Sequence, residues 1–297
     1  MLGHTLPVPP RGASITIRRA KQEDAPRCGR ICFEAFHGIS TKHGFPPDFP
    51  SPDVAVGLLS MMFSHPEFYC VVAESDGSMV GSNCLDERSA IAGLGPITVD
   101  PGMQDRGVGR KLMEALLVRA RERNFPGVRL LQSTFHNRSL ALYSRLGFDA
   151  REPVSVMQGP SLQKRVEGCS VRQARASDVE HCNRQCMKVH GHDRAGELSD
   201  AIKNGTAVVV ERHERITGYA TALAFFGHAV AETNLDLQAL IASANAFAGP
   251  GIIVPTRNSD LFRWCLENGL RVVQPMTLMS SGLYNEPVGA YLPSILF

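Results

Sequence analysis

The segment Gln104-Asp105-Arg106-Gly107-Val108-Gly109 joins an apolar run, LGPITVDPGM, to an amphipathic run, RKLMEALLVRARERN, so its glycines fall where a strand hands the chain to a helix. The first amides of a helix lack intrahelical acceptors and carry partial positive charge, and glycine lets a bulky group approach the backbone. Such a turn suits a phosphate or diphosphate. A plain strand-to-helix turn would use the same residues, and on the turn alone both readings stand. Two nucleotide patterns fail on spacing. A P-loop needs Gly-Lys-Ser/Thr where Gly107-Val108 follow Gly102, and a dinucleotide turn needs a small residue where Leu112 stands.

A turn of this kind has to be carried by a sheet and covered by helices. Periodicity predicts a strand at Ser14 to Arg18, a helix from Glu23 to about Phe36 and a Pro-rich loop, HGISTKHGFPPDFPSPD. A helix from about Val54 to Phe63 follows, then strands near Phe68 to Glu74, Val80 to Asp86 and Ala90 to Val99. The helix after the glycine turn is expected over Gly107 to Asn124, a strand over Gly127 to Ser133, a helix over Asn137 to Leu146 and a closing strand near Val154. Hairpins mixed with helical crossovers predict an α/β domain with a mixed, mostly antiparallel sheet flanked by helices.

The chain repeats this plan. IRRAKQEDAPRCGRIC from Ile17 and VRQARASDVEHCNRQC from Val171 share Arg, Ala, Asp, Cys, Arg and Cys without a gap. VVAESDGSMVG from Val71 parallels VVVERHERITG from Val208, and LGFDAREPVSVM from Leu146 parallels NGLRVVQPMTLM from Asn268. Three matched blocks in one order indicate a duplicated domain. The residues missing from the second copy lie mostly where the first carries its glycine turn and helix. Two domains, 14–160 and 161–297, are expected after a flexible N-terminus, 1–13, in keeping with a length of 297 residues.

A formal charge of +2 with 20% charged residues implies no bulk attraction to nucleic acid. The first thirteen residues have no signal-peptide core, and no stretch approaches a membrane span, so a cytoplasmic protein with no membrane partner is expected. Eight cysteines spread through the chain are expected to be reduced thiols. Cys28 with Cys32, and Cys182 with Cys186 and His190, fall on single helix faces; the row fits a metal in principle, but buried cysteine commonly packs as a small hydrophobe, and no metal is expected.

The motif VDPGMQDRGVGRKLMEAL resembles the acyl-CoA pyrophosphate motif, Gln/Arg-x-x-Gly-x-Gly/Ala, of the GCN5-related N-acetyltransferases (GNAT), and NRSLALYSRLGF resembles the second motif of that superfamily. The resemblance covers roughly residues 14 to 159. The second half resembles the degenerate copy of tandem members. The resemblance implies acetyl transfer from acetyl-CoA to an amine by direct attack in a ternary complex. It places the diphosphate on amides from about Asp105 to Arg110 (Asp105, Arg106, Gly107, Val108, Gly109, Arg110), with Gln104 a further cofactor contact, and the pantetheine arm beside Ile97, Thr98 and Val99. Arg106, Arg110 and Lys111 add charge there but also read as a solvated helix face. Pro96 cannot donate to a ladder, which fits a strand splayed at that point.

In the same resemblance Tyr143 is the acid that protonates the departing thiolate, and a phenol is protonated at pH 7 without any large shift. Packing on a helix is its alternative role. Asn137 is a candidate helix cap and cofactor contact. The family's strand glutamate is missing, because AIAGLGPITV carries no carboxylate. Asp86 and Glu87 are then the nearest candidate bases, with Glu34, His37 and His43 behind them; a water chain or an already neutral amine would need none. At the place of Tyr143 the second copy has Cys265, and it has no Gln-x-x-Gly-x-Gly, so it is expected to shape the acceptor pocket or brace the first copy. A non-catalytic acyl-CoA sensor and transfer to a non-amine acceptor remain as alternatives. The loop from His37 to Asp53 has no dense acidic patch, which points away from polycationic acceptors toward another small-molecule amine. The chain is expected to be a monomer or homodimer.

Overall fold

Strand pairing between distant blocks decides the architecture. The computed structural model describes residues 14–296, so the expected N-terminal segment 1–13 lies outside the described residues. The first copy runs β1 (Ile15–Arg19), α1 (Ala25–Lys42), α2 (Pro52–Ser64), β2 (Phe68–Ser75), β3 (Ser78–Asp86), β4 (Ala92–Leu94), β5 (Thr98–Val99), α3 (Val108–Glu122), β6 (Gly127–Ser133), α4 (Asn137–Arg145) and β7 (Asp149–Gln158). The second runs β8 (Ser170–Gln173), α5 (Val179–His190), α6 (Ala195–Lys203), β9 (Val208–Arg212), β10 (Arg215–Ala220), β11 (Ala229–Ala231), α7 (Asn234–Ser243), β12 (Ile252–Pro255), α8 (Ser259–Glu267) and β13 (Arg271–Gly282), and β14 (Ala290–Leu292) closes the chain.

Side-chain alternation explains the layers. Along β2, Cys70 and Val72 face the core under α1 and α2, with Cys28, Cys32, Leu59 and Met62. Val71 and Ala73 point the other way, into the core under α3, with Leu112, Met113 and Leu116. The same device recurs at β9, where Val208 and Val210 meet the α7 core and Val209 the α5 core. Ion pairs repeat too. Arg18 holds Asp24 and Glu74 at 2.7 Å each, and Arg172 holds Asp178 and Glu211 at 2.7 Å each.

The expected first helix is longer than its pattern suggested. α1 continues past Phe36 to Lys42 because Ile39 and buried Ser40 carry its inward stripe across Gly38. A mid-helix glycine costs only about 1 kcal/mol, less than burying that face gives back. The chain turns away at Gly44, φ 72°.

The two copies exchange their closing strands. One sheet has the order β1-β2-β3-β4-β6-β13-β7-β12, with β5 attached to β3, and a second has the order β14-β11-β10-β9-β8. β13 of the second copy pairs with β6 from Met276↔Ser133 to Gly282↔Gly127, while β7 of the first pairs with β12. β13 and β7, which are equivalent strands, pair with each other along Arg271↔Gln158 to Ser280↔Asp149. Among the described residues no helix is long and apolar enough to cross a membrane.

Candidate active site

The expected strand Ala90 to Val99 is broken at Gly95, Pro96 and Ile97, and its two pieces diverge. β4 pairs with β3 (Leu85↔Leu94) and runs parallel to β6 (Ala92↔Val128), whereas β5 pairs with β3 alone (Ser82↔Thr98). The edge of β5 that faces β6 is left open. An extended polar chain fits such an edge, because its amides and carbonyls can complete the ladder. Leu94, Gly95, Pro96 and Ile97 line one side of the opening, and Leu130, Leu131, Gln132 and Ser133 the other.

α3 starts at the wide end. Its N-cap is Gly107 in the left-handed region, φ 82°, with no side-chain cap and no acidic residue in the first turn. A Cβ built on Gly107 would meet nothing within 4 Å. Lys111 N bonds to Gly107 O as the helix closes, leaving the preceding amides for an outside acceptor. Arg138 on α4 braces the turn, donating to Asp105 at 2.9 Å and Gln104 at 2.7 Å.

Both features open into one cavity of about 660 Å³. Tyr143, 7% exposed, lines it from α4. Burial pushes its phenol up, so the proton stays on at neutral pH. His136, at the N-cap of α4, is lowered to about 4 by burial and Arg138, and faces the cavity as a neutral imidazole. The second copy supplies Phe225, Phe226, Met276, Ile295 and Leu296 to the wall, and Ile295 and Leu296 pack with Phe36, Phe49 and Leu58 of the first.

Of the expected donor-site residues, Ile97, Thr98, Val99, Gln104, Asp105, Gly107, Val108, Gly109, Arg110 and Tyr143 line this cavity together. Arg106 and Asn137 are exposed and do not line it, and the N-cap expected of Asn137 falls to His136, without a side-chain bond. Lys111 points back to Ile15 O at 3.0 Å. The two candidate bases lie elsewhere, tied up in ion pairs. Asp86 is gripped by Arg88 at 2.6 Å, and Glu87 by Arg119 at 2.7 Å. His37 stacks on Phe33 and His43 tilts against Phe135, neither on the cavity wall, whereas exposed Glu34 does reach it. Asp48, His136 and Arg138 line the cavity without having been singled out by sequence; the only signal for Asp48 was a carboxylate set among prolines and phenylalanines, FPPDFP.

The Acetyltransferase (GNAT) family matches residues 37–148, the stretch holding the strand break, the α3 start and α4. Residues 37–148 form a GNAT acetyltransferase domain. An N-acetyltransferase of Escherichia coli strain K12, the uncharacterised YjgM, is 27% identical over 142 residues, covering 46% of this chain and 83% of that protein. The fold likeness spans both copies. The crystal structure of a candidate acetyltransferase from Pyrococcus horikoshii has a TM-score of 0.75 at 20% identity, covering 99% of this chain and 98% of that one. A tandem GNAT protein from the clavulanic acid biosynthesis pathway has a TM-score of 0.55 at 13% identity, covering 91% and 98%. Acetyl-CoA is the acyl donor that a match to this acetyltransferase family implies. The uncapped α3 start and the open edge of β5 fit the diphosphate and the extended arm of that donor.

Proposed function

We propose that the chain moves an acetyl group from acetyl-CoA to the amine of a small acceptor, by direct attack while both occupy the cavity. The observation that carries this reading is that the uncapped α3 start and buried Tyr143 open into the same space. Donor binding is assigned to residues 14–160, through the amides of Asp105 to Arg110 and the edge of β5, and residues 161–297 supply part of the acceptor wall. The amine nitrogen forms a bond to the thioester carbonyl carbon and gives up a proton, the C–S bond breaks, and Tyr143 gives its phenolic proton to the departing sulfur. Tyr143 regains a proton from solvent. Water is kept from the thioester by the apolar wall.

The wall also selects the acceptor. Phe225, Phe226 and Met276, lining the same cavity as Phe36 and Phe49, suit an amine on an apolar or aromatic body. Lys42, Arg110, Arg138 and Arg145 outnumber Glu34, Asp48 and Asp105 around the cavity, which disfavours polycations. Calorimetry with acetyl-CoA tests donor binding, and Tyr143→Phe tests the acid. The variant should keep its affinity for acetyl-CoA while thiol release falls about a hundredfold. Undiminished release would remove Tyr143 from the mechanism.

A further inference from the structure

We infer that Asp48 is the proton acceptor for the attacking amine, held in place by Gln274 from the second copy. The inference rests on the acetyl-transfer reading above and fills the role that Asp86 and Glu87 do not. Among the described residues three side-chain carboxylates line the cavity. Asp105 is exposed and paired with Arg138 at the diphosphate end, and Glu34 is exposed on α1. Asp48 alone of the three lies largely out of solvent on the acceptor side, beside the apolar wall shared by the two copies.

The sequence around Asp48 fixes its position. Pro46, Pro47 and Pro50 restrict the backbone of the loop between α1 and α2. Phe45 stacks on Phe135 at 4.3 Å before it, and buried Phe49 packs edge-on to Phe36 at 5.8 Å after it. Between these two anchors the Asp48 carboxylate accepts a hydrogen bond from Gln274 Nε2 at 3.0 Å. Gln274 sits on β13, 1% exposed, two residues before the cavity-lining Met276. Without the exchanged strand this partner would be absent.

The surroundings also suit the proton's destination. Burial raises the Asp48 carboxyl to about 6, with the Gln274 amide opposing the rise by favouring the ionised form. A base that titrates near neutrality is ionised at pH 7 and still takes up a proton readily. The other titratable groups facing this space are Glu34 and Lys42 from α1, Asp105 and Arg110 at the α3 start, and His136, Arg138, Tyr143 and Arg145 along α4. The buried Cys32 thiol lies behind Asp48 and is pushed up by burial and by that carboxylate. As the C–N bond forms, the nitrogen becomes acidic and its proton passes to an Asp48 oxygen. Asp48 then returns the proton to solvent, so each turnover yields one amide and one thiol.

The test follows thiol release from acetyl-CoA against pH, with aniline as acceptor because it is uncharged through the neutral range, and with an acceptor-free blank subtracted. Wild type should lose activity as the pH falls through about 6. Asp48→Asn, which keeps an oxygen for Gln274, should lower release about a hundredfold and abolish that limb, with the calorimetric affinity for acetyl-CoA unchanged. Gln274→Leu should move the limb to higher pH, an effect that a merely structural loop anchor would not produce. Release from Asp48→Asn within threefold of wild type, with the limb intact, overturns the assignment and leaves acetyl transfer standing. No heat with acetyl-CoA, or no release from wild type above the blank, overturns both.

Discussion

The starts of α3 and α7 hold the same place in the two copies and are finished in opposite ways. α3 begins at a left-handed glycine with no cap, beside Arg110 and Arg138. α7 begins at Thr233, whose hydroxyl accepts from Asp236 N, while the Asp236 carboxylate accepts from Thr233 N at 3.1 Å and from its hydroxyl at 2.6 Å. That closed capping box satisfies in-house the amides that α3 leaves for a ligand. The neighbouring cavity, about 510 Å³, is ringed by Glu152, Glu232 and Glu286 around a single Arg257, a setting that repels a diphosphate. Where α4 offers Tyr143, α8 offers Cys265, whose thiol burial pushes to about 12. A duplicated helix start can thus be left open or closed by its own side chains, and its first four residues decide which.

The largest effect is expected from separating the copies. Residues 14–165 alone would lack β13 and β12, leaving one edge of β6 and both edges of β7 unpaired, and the fragment should be recovered aggregated; a soluble fragment with native circular dichroism would break the comparison. Next is Asp236→Ala, which removes a fully buried carboxylate bound to Arg212, Thr217 and Thr233. It should cost about 3 kcal/mol in denaturant unfolding, yet leave the affinity for acetyl-CoA unchanged in the protein that remains folded. Smallest is Arg110→Asp, which places a carboxylate where α7 has one, at the third residue of the helix. It should weaken acetyl-CoA binding about tenfold by calorimetry while preserving or slightly raising thermal stability, since an anion suits a helix start. Unaltered binding would mean that the α3 amides are not the diphosphate seat.

Local chemistry was legible in the sequence, and long-range pairing was not. The glycine turn, the break at Pro96 and the matched blocks are each written in fewer than twenty consecutive residues, where helix starts and strand ends leave their marks. The strand exchange left none. An alternating run such as RVVQPMTLM reads alike whether it lies against its own copy's strand or, as here, against Leu131 and Gln132 of the other. The Asp48–Gln274 bond joins residues 226 apart, and the approach of the two depends on that exchange. Asp86 and Glu87 misled because nearness in sequence was all that recommended them, and each proved to be neutralised by an arginine.

The exchanged strand has a consequence for synthesis. While the chain emerges, β6 must wait with one flank bare until residues 276–282 arrive to cover it. At about 5–20 residues per second that wait is on the order of ten seconds, far longer than a helix or hairpin takes to form. The nascent first copy therefore spends its youth as an unfinished sheet, and a chaperone that shields the bare flank is expected to raise the yield of this protein.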